Sequence, residues 1–518
     1  MWSSTIFPKV WNQKPTIAQR LKGVKKWHKN GYTNYGKSGI ANKLLQLSML
    51  HHKKRGVVTF TGKQLLVVVL LFLLPFAGVQ GAENSVVKSG NAVTLEEALQ
   101  IGLQRNRTLE VARLDRDIAH QKIRETWADV LPKLTLSGTY TRSLKPSVLL
   151  LPPNPLFPSG ELQTSSDNAA FVGLDLRQPL FNASAMAGIR AANIVRSLSD
   201  ASYRKTEMAV LTDIKLAYYD VLIAREQVKL IEQSIARWEQ SRRDTRALFR
   251  QGIAADIDTL KAFLSVENLR PDFIQAESRV ASAMTTLKNL MGVPADSAIV
   301  LSGKLELPSG TKASYPATTE LAAREAFEQR PDLRQIALQA DAEAENVNSL
   351  KAERYPLLSL FGKLEAQTSF NDGINPSESR WPVSSSAGVQ LSLPLFTGYR
   401  TSARIEQATL SRRQTLTRLE EQKASVRAEL ETALLHLHEA QQRIEVQSKT
   451  IAVAERSYTI SRLRFREGIG SRLELSDAEL QLVKARTNYL QAVYDYLVAT
   501  TRLDKSLGRR SALLPLTR

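Results

Sequence analysis

Glu474 and Asp477 stand three residues apart near the end of the chain, so a helix there presents both carboxylates on one face. The chemistry open to such a pair is electrostatic, and its plain alternative is a solvated acidic surface. Catalysis would need more. No phosphate-cradling glycine loop, catalytic triad or paired-carboxylate cleft appears, which argues against an enzyme and against ATP use. His436-Leu437-His438 is the nearest approach to a metal motif, yet residues two apart on a helix point in different directions and no third ligand accompanies them. Cysteine is absent, which excludes disulfides, thiol catalysis, thiolate metal sites and a lipid anchor on a terminal cysteine. No cofactor and no metal are expected.

The acidic pair follows a glycine turn, and that turn occurs twice. Leu248-Phe249-Arg250-Gln251-Gly252-Ile253 returns, displaced by 216 positions, as Arg464-Phe465-Arg466-Glu467-Gly468-Ile469. Taken alone, either glycine simply ends a helix. The residues leading to the first turn form heptads, with Ile214, Val221, Val228 and Ile235 in one row and Ala217, Ala224, Ile231 and Trp238 in the next. No proline falls between Phe181 and Arg270. A helix from about Ala183 to Phe249 would be on the order of 100 Å long at 1.5 Å per residue, too long for a compact globular domain to enclose.

Upstream of each long helix the period changes from helical to two. Leu134 and Leu136 alternate with Thr135 and Ser137, and Val172, Leu174 and Leu176 with Gly173, Asp175 and Arg177. The second half repeats this with Leu358, Leu360, Gly362 and Leu364, then with Val389, Leu391 and Leu393. Each second strand leads out through Pro-Leu-Phe, at Pro179-Leu180-Phe181 and Pro394-Leu395-Phe396. The pattern fits a wall with lipid outside and water inside, or a soluble sheet with one face on the helices. A chain with four strands cannot close a membrane barrel alone, because at least 8 are needed. The loop 143–168 is nine residues longer than its counterpart, and its prolines argue against a regular element through its centre.

The resulting division is a repeat at 82–292, with strands 133–142 and 170–179 and a helical hairpin 183–290, then a linker 293–318. A second repeat at 319–508 follows, with strands 357–367 and 387–395 and a hairpin 401–506, before a short tail 509–518. The linker holds one short strand candidate, Ala298-Ile299-Val300-Leu301.

The net charge of +19 belongs mostly to the leader, since thirteen Lys and Arg but no Asp or Glu lie in residues 1–82. Lys53, Lys54, Arg55 and Lys63 precede the apolar run Leu65 to Leu74 and a small-residue site at Val79-Gln80-Gly81, the design of a secretory signal over 49–81. Ten apolar residues fall short of the roughly 20 that span a bilayer. Residues 1–48 read either as a basic arm for nucleic acid or as an extension upstream of Met49. Met49 opens a signal of ordinary design, which favours the extension and no nucleic-acid partner.

The order helix, strand, strand, long helix, glycine turn and return helix, performed twice behind a secretory signal, resembles the TolC-like outer-membrane efflux proteins. The likeness covers about Val93 to Gly508 and is most specific at the paired turns and the paired Pro-Leu-Phe exits. It implies a mainly α chain with a membrane β-barrel: a homotrimer in which three chains give four strands each to a 12-stranded barrel, embedded in outer-membrane lipid and continued by an α-helical periplasmic tunnel. It implies a passive exit duct of a tripartite efflux or type I secretion system, fed by an inner-membrane transporter through a periplasmic adaptor. Loops 143–168 and 369–386 would face outside the cell.

Residue by residue, the resemblance implies that Arg250, Gly252, Ile253, Arg466, Gly468 and Ile469 form adaptor-docking turns, since a bare backbone followed by an apolar knob fits a groove between partner helices. Glu474 and Asp477 would ring the pore constriction and attract cations. Asp258 stands where the family's mouth-closing aspartate would be. Phe465 replaces the family's tyrosine and Gly470 its arginine, leaving Arg466 or Arg472 as substitutes. A rival class, a periplasmic adaptor or coiled-coil scaffold without a pore, also predicts helical hairpins but needs no pairs of amphipathic strands.

Overall fold

The computed structural model describes residues 92–510 apart from 153, 154, 156, 157, 159, 308–314 and 374–378. The extension 1–48, the signal 49–81 and the tail beyond residue 510 lie outside the described residues. The first half runs β1 (Ala92–Val93), α1 (Leu95–Arg105), α2 (Arg107–Trp127), β2 (Lys133–Arg142), β3 (Val148–Leu150), β4 (Glu161–Gln163) and β5 (Asn168–Phe181). It continues with α3 (Ala183–Arg250), α4 (Asp256–Glu267) and α5 (Leu269–Leu290), and the linker holds β6 (Val300–Leu301). The second half is α6 (Thr319–Gln329), α7 (Pro331–Ala352), β7 (Leu357–Phe370), β8 (Val383–Ser392), α8 (Arg400–Arg466) and α9 (Arg472–Leu507).

Local signals explain where the helices begin. The Glu97 N–H donates to Thr94 Oγ1 (3.2 Å) and the Thr94 N–H to Glu97 Oε2 (2.8 Å), a reciprocal capping box at the head of α1. Asn106 ends α1 and caps α2, accepting from the Leu109 N–H at 2.9 Å. The long helices α3 and α8 have 68 and 67 residues, each about 100 Å of rod. They are braced near the middle. Leu211, Ile214 and Val221 of α3 are buried with α1, α5, the linker and α9, while Val426 and Leu430 of α8 are buried against α6 and α9.

The heptad rows hold for only part of their length. Ile214, Ala217, Val221 and Ala224 are buried. Beyond them Val228, Ile231, Ile235 and Trp238 are half-buried, and burial passes to Ser234, Ser241 and Thr245. At Ser234 the neighbouring helix brings up the Glu479 carboxylate, which accepts from the serine hydroxyl at 3.1 Å, while Thr245 Oγ1 donates back to the Ser241 carbonyl at 2.8 Å.

The first return limb, expected as one helix, breaks at Asn268 into α4 and α5. Pro271 lacks the N–H that would bond the Glu267 carbonyl, and the ladder is interrupted there. α9 has no proline and stays continuous for 36 residues.

The four long strands form one antiparallel sheet in the order β2-β5-β7-β8. Pairing of β5 with β7 joins the two halves. Leu136, Leu174 and Leu364 align across three strands on one face, and Thr135, Asp175, Lys363 and Ser386 align across four on the other. β5 runs two residues further at each end than expected, passing Pro179 through a bulge at Pro179/Phe181. β7 extends to Phe370. β8 spans Val383–Ser392 rather than 387–395, ending before Pro394, which has no N–H for the ladder. The flanks of the 143–168 loop pair as a small β3–β4 ribbon on either side of its proline-rich centre. Val300 and Leu301 pair in parallel with Ala92 and Val93, tying the linker to the chain's first described strand. No described helix is long and apolar enough to cross a membrane.

Candidate functional site

The two glycine turns have nearly the same geometry. Gly252 has φ 75° and Gly468 φ 76°, the left-handed conformation that glycine adopts at least cost. The Ile253 N–H reaches back to the Leu248 carbonyl at 3.0 Å, and the Ile469 N–H to the Arg464 carbonyl at 3.0 Å. Both close the last helical turn in a Schellman-type cap. A Cβ at either glycine would meet nothing within 4 Å, so the backbone is bare on its outer side. Ile253 and Ile469 are 61% and 74% exposed beside it. Arg250 and Arg466 are also at the surface, Arg466 against Glu467 at 3.2 Å. On the far side Ser471 caps α9 through the Glu474 N–H (3.1 Å), whereas Ala255 has no side-chain bond to offer α4.

Glu474 lies half-exposed, 3.5 Å from Arg464 Nε, and Asp477 is exposed one turn along α9. Phe465 is buried. A Cβ on Gly470 would stand 2.9 Å from the Phe465 nitrogen, so an arginine at that position requires a different turn. Arg472 reaches across instead. Its Nη2 donates to Ser265 Oγ on α4 at 3.0 Å, and its guanidinium lies 5.9 Å from the Trp238 ring centre on α3. Burial pulls the Arg472 guanidinium below its ordinary pKa, and the charge of Asp258 opposes that shift through space. Of the two arginines proposed as substitutes, Arg472 contacts the first hairpin, while Arg466 pairs locally.

One residue of this region is not singled out by spacing alone. Glu479, two residues past Asp477, is 2% exposed and accepts from Arg237 Nε at 2.8 and 3.0 Å and from Ser234 Oγ at 3.1 Å. Arg237 also lies 6.0 Å from the Tyr458 ring centre on α8, so α3, α8 and α9 meet at one buried ion pair. Its signal was available: Glu479 interrupts the apolar stripe Leu475, Ala478 and Leu482.

Residues 98–293 and 322–509 match the family model described as outer membrane efflux protein, one stretch in each half. The chain belongs to the outer membrane efflux protein family. It is 23% identical over 436 residues to the probable efflux pump outer membrane protein TtgC of Pseudomonas putida KT2440, covering 83% of this chain and 86% of that one. It is 25% identical over 347 residues to the alkaline protease secretion protein AprF of Pseudomonas aeruginosa PAO1, covering 66% and 71%. The fold is shared with the crystal structure of the outer membrane protein VceC of Vibrio cholerae, at TM-score 0.64 and 18% identity over 80% of this chain and 96% of that one. Membership makes the chain an outer-membrane efflux channel with a large periplasmic part, in a transport family and not an enzyme family. The family match decides for the channel over the scaffold.

Proposed function

We propose that three copies of this chain close their four-stranded sheets into one 12-stranded barrel, and that the 100 Å helices continue it as a periplasmic tunnel. The observation that carries this is the sheet itself. Its outer strands β2 and β8 are both ten residues long, each with one edge unpaired in the sheet order. Long open edges invite pairing with another chain, and closure with copies removes them. One face exposes Leu134, Leu136, Val389 and Leu391 while the other carries polar and charged residues, as lipid outside and water inside require. Exposed aromatics flank this band: Trp127, Tyr355, Phe396 and Tyr399 toward the helices, Tyr140 and Trp381 toward the loops.

The duct is passive, its cargo delivered by an inner-membrane transporter through a periplasmic adaptor that docks at Gly252-Ile253 and Gly468-Ile469. Glu474 and Asp477 line the constriction, and Arg472, with Asp258 nearby, holds the hairpins together at the mouth. Light scattering in mild detergent should give a mass of three mature chains, and planar bilayers should show discrete channels. A water-soluble monomer without conductance would overturn the proposal. Arg472→Ala should raise the mean conductance of those channels, and unchanged conductance removes Arg472 from the closure.

A further inference from the structure

The water-side face of the sheet carries two phenylalanines whose presence the barrel alone does not explain. Phe171 lies on β5 two residues before Gly173, and its ring tip is 2.7 Å from where a Cβ on Gly173 would stand. Phe361 on β7 pairs with Gly388 on β8, and its ring tip is 2.8 Å from that glycine's Cβ position. Both rings therefore lie flat on the sheet in notches that any other residue would fill. Among the described residues, no guanidinium or ammonium stacks on either ring.

Covering a strand glycine with an aromatic ring stabilises the strand, and that is the simpler account. It does not explain the choice of face. On the lipid side a phenylalanine face costs nothing to expose, whereas here both rings stand among charged neighbours in water. The ladder reads Phe171 opposite Gln367, Gly173 opposite Glu365, Asp175 opposite Lys363, and Arg177 opposite Phe361. Lys363 lies 3.8 Å from Asp175 and 3.7 Å from Glu365. The rings bracket this mixed-charge belt, and six residues of strand separate their levels by about 20 Å.

We infer that Phe171 and Phe361 are two successive contact stations in the barrel lumen for aromatic groups of solutes in transit. Stacking on a ring held flat and already desolvated on its sheet side loses little side-chain freedom, while the adjacent belt accepts charge of either sign. This inference rests on the trimeric barrel proposed above.

The test compares block of single-channel current by tetraphenylphosphonium and by tetrabutylphosphonium, cations of equal charge with and without aromatic rings. The wild-type channel should be half-blocked at a concentration at least fivefold lower for the aromatic ion. The double variant Phe171→Leu with Phe361→Leu keeps an apolar cover on each glycine and should bring the ratio below twofold. If the double variant does not insert, the single variants should each lower the ratio part-way. A wild-type ratio near one, or a full ratio retained by the leucine variants, overturns the inference. Failure of the barrel reading is told apart because no channel would then open in potassium chloride alone.

Discussion

Glu479 shows how a single side chain can hold three helices together near the glycine turns. Arg237 is mostly buried beside it, and Arg237 Nη2 has no hydrogen-bond partner among the described residues. Glu479→Ala would strip that buried guanidinium of its carboxylate, and breaking such a pair costs about 3–5 kcal/mol. Denaturant unfolding followed by helical ellipticity should register a loss of this order, and a loss below about 1 kcal/mol would mean the pair is already solvated. The acidic pair divides unequally. Glu474 has Arg464 within 3.5 Å and Asp477 has no such neighbour among the described ion pairs. Asp477→Ala should therefore reduce cation preference in planar bilayers more than Glu474→Ala does. Reversal potentials unchanged from wild type in both variants would discard the ring.

At the scale of the element, each hairpin end depends on one backbone conformation. Gly252 and Gly468 face open space, so a bulky side chain there would protrude without a clash, while its positive φ strains the turn by about 1 kcal/mol. Replacing both by bulky residues should abolish export while leaving the oligomer in the membrane. Continued export would show that the turns only end helices. Higher on α3, burial raises the Tyr219 hydroxyl to about 12 from 10.0, with the charge of Asp504 adding to it. The folded state then holds this proton more tightly than the unfolded one. Its contribution is complete below pH 10 and is lost as pH rises from 10 to about 12, on the order of 2 kcal/mol. The free energy of unfolding, measured across that interval, should fall less steeply in Tyr219→Phe. Equal slopes would place the alkaline sensitivity elsewhere.

For the whole molecule, the apolar side chains left exposed on a single chain are the guide. Leu435, Val446, Val453, Ile460 and Leu463 of α8 face outward, Val453 at 70% exposure. A monomer would tolerate Val446→Glu with Val453→Glu at little cost, because both sites are wet. In an assembled tunnel whose helices pack against those of neighbouring copies, the same changes bury two charges. The double variant should keep its helical ellipticity and lose its oligomer in native mass spectrometry. An intact oligomer would show that this stripe faces solvent.

The amino-acid sequence by itself determined what spacing along a chain can express. The duplication was legible in the paired turns and the strand faces in a period of two. The left-handed turns followed from Gly252 and Gly468, because few residues other than glycine adopt φ near 75° without strain. Tertiary structure alone decided the cross-chain partners. The pairing of β5 with β7, the reach of Arg472 to Ser265, and the burial of Glu479 against Arg237 and Ser234 join residues more than 150 positions apart. Register and helix rotation bring such residues together only after the whole core has packed, so a local pattern can flag one member, as the charge of Glu479 in an apolar stripe does, but not its partner.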